Sequence, residues 1–352
     1  MTQRSLSRAL LAAALLATPI AVHAQAFSVN KIPIGGDGGT DYLTAEPGTG
    51  RIFVSRSTHV MVLDGSTGHV IGDIPDTPRT HGIALVPKWH HGFTTNAGDS
   101  TVTIFDLTTL AVVKKVRIPS GGLDGIMYDA ADDRIVLTNH SRPIGTATAL
   151  DPGTGEITGV AELEDNSPEG AASDGRGRIF VNNEGTSTIQ VLEARTMTVV
   201  SSWALAPCDG PTGIAFDPAA NRVFSGCSTT SVVLDPTTGK VVATIPNGDG
   251  VDALGWDPGE KLLYIPAGGD SSVTIVHQDG PDHYTVVATV RTMRGAKTIT
   301  IDPVSHVAYL FQPEYGPAPV PAPGTPAPAP GSRPPRGPVI GAYLFAIRHT
   351  GG

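Results

Sequence analysis

Charged and aromatic residues are scarce in this chain of 352 residues, at 16% and 5%. Beyond the N-terminus, no stretch stays apolar for the roughly 18 residues that a membrane-spanning helix needs, and no segment keeps a helical period of about 3.6 residues. Glycine and proline are abundant instead, with 42 and 30 residues. Helical bundles, coiled coils and multi-span membrane proteins are therefore excluded, and the length suits one large all-β domain.

Motifs of the common enzyme classes are also missing. The sequence contains no Gly-x-Ser-x-Gly nucleophile motif, no phosphate-binding loop of the Walker type and no Cys-x-x-Cys. The chain thus has no fixed nucleophile, phosphate cradle or redox pair that its sequence alone would reveal. This absence favours a non-catalytic binding or scaffold function over an enzymatic one.

Residues 1–24 differ from everything after them. Arg4 and Arg8 precede an apolar run over residues 9–17, and small residues at Ala24 to Ala26 suit cleavage by signal peptidase. The run is too short for a membrane anchor, so we expect a cleaved signal peptide, a periplasmic or secreted protein and no stable membrane insertion. Loss of the two arginines changes the formal charge from −9 to −11, and such an acidic surface makes a nucleic-acid partner unlikely to bind.

A repeat fills the rest of the chain. A short sequence motif begins at residues 41, 81, 124, 169, 212, 252 and 297, with spacings of 40, 43, 45, 43, 40 and 45 residues. A second register, in which an apolar strand ends in a polar residue, has spacings of 42, 45, 42, 42 and 42 through Asp64, Asp106, Asp151, Glu193, Asp235 and His277. This period predicts a seven-bladed β-propeller of four-stranded antiparallel blades, in a single domain over residues 27–352.

The two ends of the chain are predicted to close the ring. Residues 27–34 form a strand before the first unit, whereas the last unit ends at residues 344–347 without a fourth strand. The N-terminal strand should therefore complete the last blade. A Pro-rich insertion over residues 313–338, with 11 of the 30 prolines, should interrupt that blade between its second and third strands.

The repeats resemble those of the YVTN-type, YncE-like propellers of periplasmic and secreted bacterial proteins. The clearest matches are residues 100–113, 178–200 and 211–242, and residues 309–317 and 343–345 look like the close of many members. The resemblance covers nearly the whole mature chain. It implies a binding or scaffold role and, from one relative, single-stranded DNA binding, which the acidic charge and few aromatic residues of this chain oppose.

One face of the propeller should carry the functional residues, because the starts of the inner strands and the ends of the second strands meet around the mouth of the central channel. We predict a ligand-binding rim there from Asp41, His81, Asp124, Glu169, Asp252, Lys297, Arg56, Asn96 and Asn183. Oxygen ligands suit Ca²⁺ or Mg²⁺, and histidine with carboxylates suits Zn²⁺ or Fe²⁺. A divalent metal ion is therefore possible but not required, with the candidate ligands Asp124, His140, Glu169 and Glu184.

An enzymatic alternative uses the same face. The segment Arg79-Thr80-His81-Gly82-Ile83 loosely resembles metal-dependent lyase and lactonase propellers, which use a divalent ion to stabilise a developing oxyanion. In this alternative His81 is the general base, with His140 as a second candidate catalytic residue. The competing hypothesis is a channel mouth that is simply polar and hydrated.

The only two cysteines, Cys208 and Cys227, follow the predicted signal peptide. Cys208 enters the inner strand of the fifth blade and Cys227 ends its second strand. An antiparallel pair returns to the face that it left, so a disulfide is expected, with a reactive thiol or metal-binding pair as the alternative. Our first hypothesis is thus an exported, non-catalytic and monomeric propeller that binds a protein or small-molecule ligand at the channel mouth.

Overall fold

The computed structural model describes residues 26–320 and 336–351. Within these residues the chain forms seven four-stranded antiparallel sheets arranged as a ring, with a single 3₁₀ turn at Pro87–Trp89. The predicted seven-bladed β-propeller is confirmed. The predicted signal peptide lies outside the described residues. No helix in the described residues has the length and apolar character needed to cross a membrane.

The strands follow the chain in order, with the innermost strand of each blade first. β1 is Phe27–Pro33. The first blade comprises β2 (Leu43–Ala45), β3 (Arg51–Ser55), β4 (Val60–Asp64) and β5 (Val70–Ile74). The second comprises β6 (Thr80–Val86), β7 (His91–Asn96), β8 (Thr101–Asp106) and β9 (Val112–Arg117). The third comprises β10 (Leu123–Asp129), β11 (Arg134–Asn139), β12 (Thr146–Leu150) and β13 (Ile157–Glu162).

The remaining blades repeat this order. The fourth comprises β14 (Pro168–Ser173), β15 (Arg178–Asn183), β16 (Thr188–Glu193) and β17 (Thr198–Ala204). The fifth comprises β18 (Ile214–Asp217), β19 (Arg222–Ser225), β20 (Thr230–Asp235) and β21 (Lys240–Pro246). The sixth comprises β22 (Gly255–Asp257), β23 (Leu262–Ala267), β24 (Ser272–Gly280) and β25 (His283–Arg291). The seventh comprises β26 (Thr300–Asp302), β27 (Val307–Tyr315), β28 (Val339–His349) and β1.

The N-terminal strand closes the ring as predicted. β1 pairs with β28 over its whole length, from Phe27 opposite His349 to Pro33 opposite Tyr343. The two ends of the chain therefore share one sheet, and opening the ring would require breaking this pairing. The first three residues of the predicted Pro-rich insertion, 313–315, instead extend β27 and pair with β28. The rest of the insertion joins β27 to β28, and its residues 321–335 lie outside the described residues.

The hydrophobic core lies between neighbouring blades. The second and third strands are buried on both sides because each packs against the next blade, and this burial accounts for their continuous apolar runs. Phe53 of the first blade packs against Phe105 of the second, with ring centroids 5.9 Å apart. Phe224 and Trp256 join the fifth and sixth blades in the same way, at 5.0 Å.

The face opposite the channel mouth carries turns that join the third and fourth strands of each blade, and we call it the turn face. Four aspartates stand at the ends of third strands there, with Asp151 directly after its strand, and each accepts hydrogen bonds from backbone N–H groups two or three residues later: Asp64, Asp106, Asp151 and Asp235. These are Asx turns, and their recurrence explains the second register in the sequence.

A second repeated device on the turn face joins adjacent blades. Arg51, the first residue of β3, donates from Nη1 to the carbonyl of Leu107 in the second blade at 2.7 Å. Arg178 donates in the same way to the carbonyl of Pro236 in the fifth blade at 2.6 Å. Equivalent contacts run from Arg134 to Ala194 and from His91 to Pro152. Each side chain therefore ties the start of a second strand to the turn of the next blade.

The two cysteines are bonded, with Cα atoms 5.6 Å apart and a sequence separation of 19. Both are buried, with Cys208 4% and Cys227 0% exposed. The bond holds the loop that enters β18 against the end of β19, on the channel-mouth side of the fifth blade. A disulfide is compatible with an oxidising, extracytoplasmic compartment.

Candidate functional site

A polar cavity of about 550 Å³ lies at the channel mouth, a size in the range of small-molecule sites. Its lining combines acidic, basic and histidine side chains with a few neutral residues. The lining residues are Thr40, Asp41, Tyr42, Arg79, His81, Asp124, His140, Ser167, Glu169, Glu184, Asp252, Gly295, Lys297, Gln312 and Arg336. The structure thus brings six of the nine predicted rim residues and all four predicted metal ligands into one cavity.

The inner strands of the second, third and fourth blades are irregular at the cavity. Their pairing shifts register between Thr80 and Ile83, between Leu123 and Ile126, and between Pro168 and Ala171. Each irregularity contains one charged or histidine residue followed by glycine. A β-bulge re-aims a side chain, and here the bulged residues His81, Asp124 and Glu169 all line the cavity.

The glycines after these residues allow adjacent inner strands to approach closely. A Cβ at Gly170 would lie 2.8 Å from the carbonyl oxygen of Thr212 in the next blade. At Gly82 a Cβ would lie 2.7 Å from Ile126 Cγ2 and 3.1 Å from the carbonyl oxygen of Asp124. Side chains at the mouth come within contact distance because the backbones behind them are this close.

Buried hydroxyl groups of neighbouring blades fix the backbone at the mouth. Thr95, the penultimate residue of β7, donates to the carbonyl oxygen of Asp124 at 2.6 Å. Thr298 of the seventh blade donates to the carbonyl oxygen of Asp41 at 2.5 Å. The mouth residues are therefore held by the rigid ring and not by mobile loops.

A first cluster joins the first three blades. His81 Nδ1 pairs with Asp41 Oδ2 and lies 3.3 Å from Asp124 Oδ1. The three side chains are 24%, 18% and 13% exposed, so they are mostly shielded from water. The imidazole is held between two carboxylates of different blades.

A second cluster continues the first into the fourth blade. His140 Nε2 lies 3.1 Å from Asp124 Oδ2 and 3.3 Å from Glu169 Oε1. The same nitrogen lies 3.0 Å from the carbonyl oxygen of Pro168. Asp124 thus belongs to both clusters, with a different carboxylate oxygen facing each histidine.

The two histidines are strongly basic in this arrangement. Burial alone would lower the pKa of His81, but hydrogen bonds to Asp124 and Asp41 and their negative charges raise it to about 10. Burial opposes protonation of His140 too, and Glu169 together with the charge of Asp124 raises its pKa to about 9. The surrounding carboxylates therefore favour the protonated form of both imidazoles.

Burial acts on two carboxyl groups at the mouth in the opposite direction, because it raises their pKa values. Burial raises the pKa of Glu169 to about 7, and the charges of Asp124 and Asp252 add to this rise against the hydrogen bond from His140. Burial raises the pKa of Asp252 to about 6 despite its ion pair with Lys297. Both carboxyl groups therefore stay protonated to a higher pH than exposed carboxyl groups do.

Tyr42 lines both the cavity and a second space of about 180 Å³, whose other lining residues are mainly glycines and apolar residues. Burial, with the charges of Asp124, Asp252, Glu169 and Asp41, raises the pKa of the Tyr42 hydroxyl well above its usual value. The phenol thus stays neutral beneath the acidic ring. Its place directly after Asp41 in the repeat was the available sequence signal.

The seventh blade adds polar groups that the sequence prediction did not include in the rim. Gln312 is 5% exposed, lines the cavity, and its Oε1 has no hydrogen-bond partner in the described residues. Arg336 also lines the cavity; its Nη1 donates to the Tyr315 hydroxyl at 3.1 Å, and its guanidinium lies over the Tyr315 ring. The proximity of the Pro-rich insertion to the mouth was the only signal for these contacts.

Three of the predicted rim residues do not line the cavity. Arg56 is fully buried and donates to backbone carbonyls of the glycine-rich segment 35–39. Asn96 donates to Thr101 and Thr103 at 3.0 and 2.8 Å within its own blade, and Asn183 makes the equivalent contacts. The two asparagines turn into their blades, and Arg56 turns to the backbone of residues 35–39, because a buried strand end needs partners for its polar groups.

The cavity can hold a charged ligand or a cation. Five carboxyl groups, two histidines and three cationic side chains line it, so groups of either sign find a partner there. Asp41, His81 and Asp124, and likewise Asp124, His140 and Glu169, place their ligand atoms within 4.8 Å of one another. Glu184 lines the cavity without joining either set.

No family model and no curated protein matches this chain. Solved structures that resemble it include one titled Kuenenia stuttgartiensis hydrazine synthase, with 17% identity, a TM-score of 0.68 and coverage of 78% of this chain and 93% of the other. The WD40 repeats of RRP9 give 9% identity, a TM-score of 0.74 and coverage of 91% and 97%. A chain of a mitotic checkpoint complex gives 15% identity, a TM-score of 0.70 and coverage of 88% of this chain and 96% of the other. At these identities the likeness establishes the propeller fold alone.

Proposed function

We propose that this protein is an exported, non-catalytic binding protein that holds a small charged ligand in the channel-mouth cavity. The observation that carries the proposal is the cavity itself, with about 550 Å³ lined by charged groups of both signs. Ligand sites are concave, and a few polar groups held by a rigid scaffold fix the ligand's orientation. The ring of blades holds these groups as such a scaffold would.

Export is supported by the signal-like residues 1–24 and by the disulfide, which fits an oxidising compartment. Membership of the YVTN-type group rests on the repeat resemblance. A protein partner at the same rim fits one of the similar structures, which is a chain of a mitotic checkpoint complex. The small ligand is preferred because the charged groups converge inside a cavity, whereas a protein interface would spread them over a flat surface.

The test is a thermal-shift screen of the mature protein against amino acids, di- and tricarboxylic acids, polyamines and sugars. Lys297→Met removes a cation from the cavity wall, and Lys114→Met, on the outer strand β9, is the matched control. We expect a ligand that raises the melting temperature of wild type and of Lys114→Met but not of Lys297→Met. Ligand shifts that Lys297→Met keeps in full, or no shift from any compound, would contradict the proposal.

A metal-dependent lyase or lactonase is the second candidate, favoured by the two clusters of histidine and carboxylates. His81→Ala separates the two functions, because an enzyme that needs His81 should lose nearly all turnover of lactone or lyase substrates. A binding protein shows no turnover to lose. Single-stranded DNA binding is the third candidate, and the charge of −11 without residues 1–26 opposes it.

A further inference from the structure

The two clusters at the mouth contain separate sets of ligand atoms. One set is Asp41 Oδ2, His81 Nδ1 and Asp124 Oδ1, and the other is Asp124 Oδ2, His140 Nε2 and Glu169 Oε1. No atom is shared between the sets. The only residue in common is Asp124, whose two oxygens point to different histidines.

We propose that the channel mouth binds two divalent cations side by side, bridged by the carboxylate of Asp124. One ion takes Asp41, His81 and one oxygen of Asp124, and the other takes the second oxygen with His140 and Glu169. The inference goes beyond the ligand-binding proposal and does not depend on it, because the protein side chains alone define both positions.

The donor chemistry selects the class of ion. Each set offers one imidazole nitrogen and two carboxylate oxygens, a mixture that suits Mn²⁺, Fe²⁺ or Zn²⁺ better than Ca²⁺, which takes oxygen ligands. Three protein ligands leave further coordination positions of each ion open to water or to a bound ligand. Carboxylate-bridged ion pairs lie about 3.5–4 Å apart in proteins, and one bridging aspartate can span that distance.

The way the side chains are supplied supports a built site. His81, Asp124 and Glu169 come from three consecutive inner strands. Asp41 lies two residues before the inner strand of the first blade, and His140 follows the end of β11. Three of these residues lie in β-bulges, and the backbone carbonyls of Asp41 and Asp124 are fixed by threonines of adjacent blades. The fifth blade, which has Thr212 at the equivalent position, contributes no ligand atom.

An independent observation on the seventh blade also points to a bound species in this cavity. Gln312 Oε1 is buried and accepts no hydrogen bond from the described residues, although the side chain lines the cavity. A buried acceptor without a donor is costly. Water held by a cation in the cavity, or a ligand placed beside it, would provide that donor.

The experiment measures metal stoichiometry in the mature, disulfide-bonded protein. After treatment with a chelator and removal of the chelator, Mn²⁺ and Zn²⁺ are each titrated by calorimetry at one fixed pH, and bound metal is counted by mass spectrometry. Wild type should bind two ions per chain. Asp41→Asn and Glu169→Gln should each bind one, and Asp124→Asn should bind none.

The matched control is Asp252→Asn, which removes a carboxylate of the same cavity that belongs to neither set. It should keep two ions, with less than about a tenfold change in affinity, because loss of a nearby group that does not ligate has a limited effect. Anomalous scattering at the metal edge should place two peaks on either side of Asp124.

Fewer than two ions in wild type would overturn the proposal, as would binding that survives Asp124→Asn or is lost in Asp252→Asn. Circular dichroism and the melting temperature verify folding of each variant, and the single-ion predictions for Asp41→Asn and Glu169→Gln test the proposal even if Asp124→Asn does not fold. A failed metal titration leaves the ligand screen unaffected, so the two proposals fail separately.

Discussion

The two faces of the ring carry acidic residues at the same period but in different electrostatic surroundings. On the turn face, Ser66 and Thr67 donate hydrogen bonds that lower the pKa of Asp64 to about 2, and the pKa values of Asp106 and Asp235 are lowered for the same reason. At the mouth, burial raises the pKa of Asp252 to about 6 and that of Glu169 to about 7. Acids on the turn face accept hydrogen bonds from backbone N–H groups, whereas at the mouth burial raises the pKa values of two acids, and His81 and His140 lower that of Asp124 against its burial.

Residue choice follows the same division. The turn-face position is Asp in four of the six units that carry the register, whereas the inner-strand opening changes from Asp to His, Glu, Thr and Lys around the ring. A structural device works equally well in every blade, so the repeat keeps it. A binding site needs different groups at different points, so its positions depart from the repeat. Variation within the repeat therefore marks the functional face.

The largest expected effect comes from the disulfide, which stabilises the blade that offers no charged group to the mouth. Replacement of Cys208 and Cys227 by alanine should lower the free energy of unfolding by ~3 kcal/mol, because the bond closes a loop of 19 residues. Urea unfolding of the double variant and of wild type in reductant should agree. A loss below about 1 kcal/mol would mean that packing of the fifth blade, and not the bond, holds its mouth loop.

The next effect tests whether the turn face is structural. Arg178→Met removes the hydrogen bond to the carbonyl of Pro236 and the ion pair with Asp174, whose side chain is fully buried. We expect a loss of about 2 kcal/mol, since hydrogen bonds of charged groups contribute roughly 1.5–3 kcal/mol. Arg176→Met, two residues away and exposed, is the matched control and should change stability by less than about 0.5 kcal/mol. Equal unfolding midpoints for Arg178→Met and Arg176→Met would show that the contacts of Arg178 on the turn face do not stabilise the fold.

The opposite pKa shifts predict opposite effects of pH. The lowered pKa of Asp64 means that its stabilisation is present above about pH 4 and is lost as pH falls towards 2. The raised pKa of Asp252 means that the folded state binds more protons than the unfolded state between about pH 4 and 6, so stability falls as pH rises through that range. Lys297, Asp41 and Asp124 are the charged groups that act on Asp252.

Two isosteric variants separate the two pH ranges in which stability changes, the acid range between pH 4 and 2 and the range between pH 4 and 6. Asp64→Asn keeps an acceptor for the turn but cannot be protonated, so it should flatten the loss of stability between pH 4 and 2. Asp252→Asn should flatten the loss between pH 4 and 6 and leave the acid range unchanged. Urea midpoints measured across this range in the presence of chelator provide the check. If both variants changed stability in the same pH range, the assignment of the acid range to Asp64 and of the higher range to Asp252 would be wrong.

The fold could be predicted from the sequence because the period of the repeat counts the blades directly. The closure by β1 followed from the missing fourth strand of the last unit. Of the predicted rim, Asp41, His81 and Asp124 reach the cavity since each opens an inner strand beside the channel. Asn96 and Asn183 do not reach the cavity. Each lies at the end of a second strand and donates a hydrogen bond to a side chain of the third strand, so it turns into the blade.

The sequence contained a signal that would have separated these two classes. Asn96 precedes Thr101 and Thr103, and Asn139 precedes Thr146 and Thr148, so both strand ends face a hydroxyl pair on the next strand. Such repetition marks a structural contact. The role of Gln312 could not be predicted, because its place at the mouth depends on the path of β27 towards the Pro-rich insertion.

The smallest expected effect on stability comes from Lys297→Met, and it bears most directly on the function of the mouth. Lys297 pairs with Asp252 at a half-exposed site, so its loss should lower the free energy of unfolding by less than about 1 kcal/mol. Lys297 lowers the pKa of Asp252, so removal of the cation raises that pKa further. The Asp252 carboxyl is then neutral up to a higher pH, and less unpaired negative charge is left buried. Urea unfolding beside Lys114→Met gives the comparison. A loss as large as that of Arg178→Met would mean that the mouth, like the turn face, is built for stability.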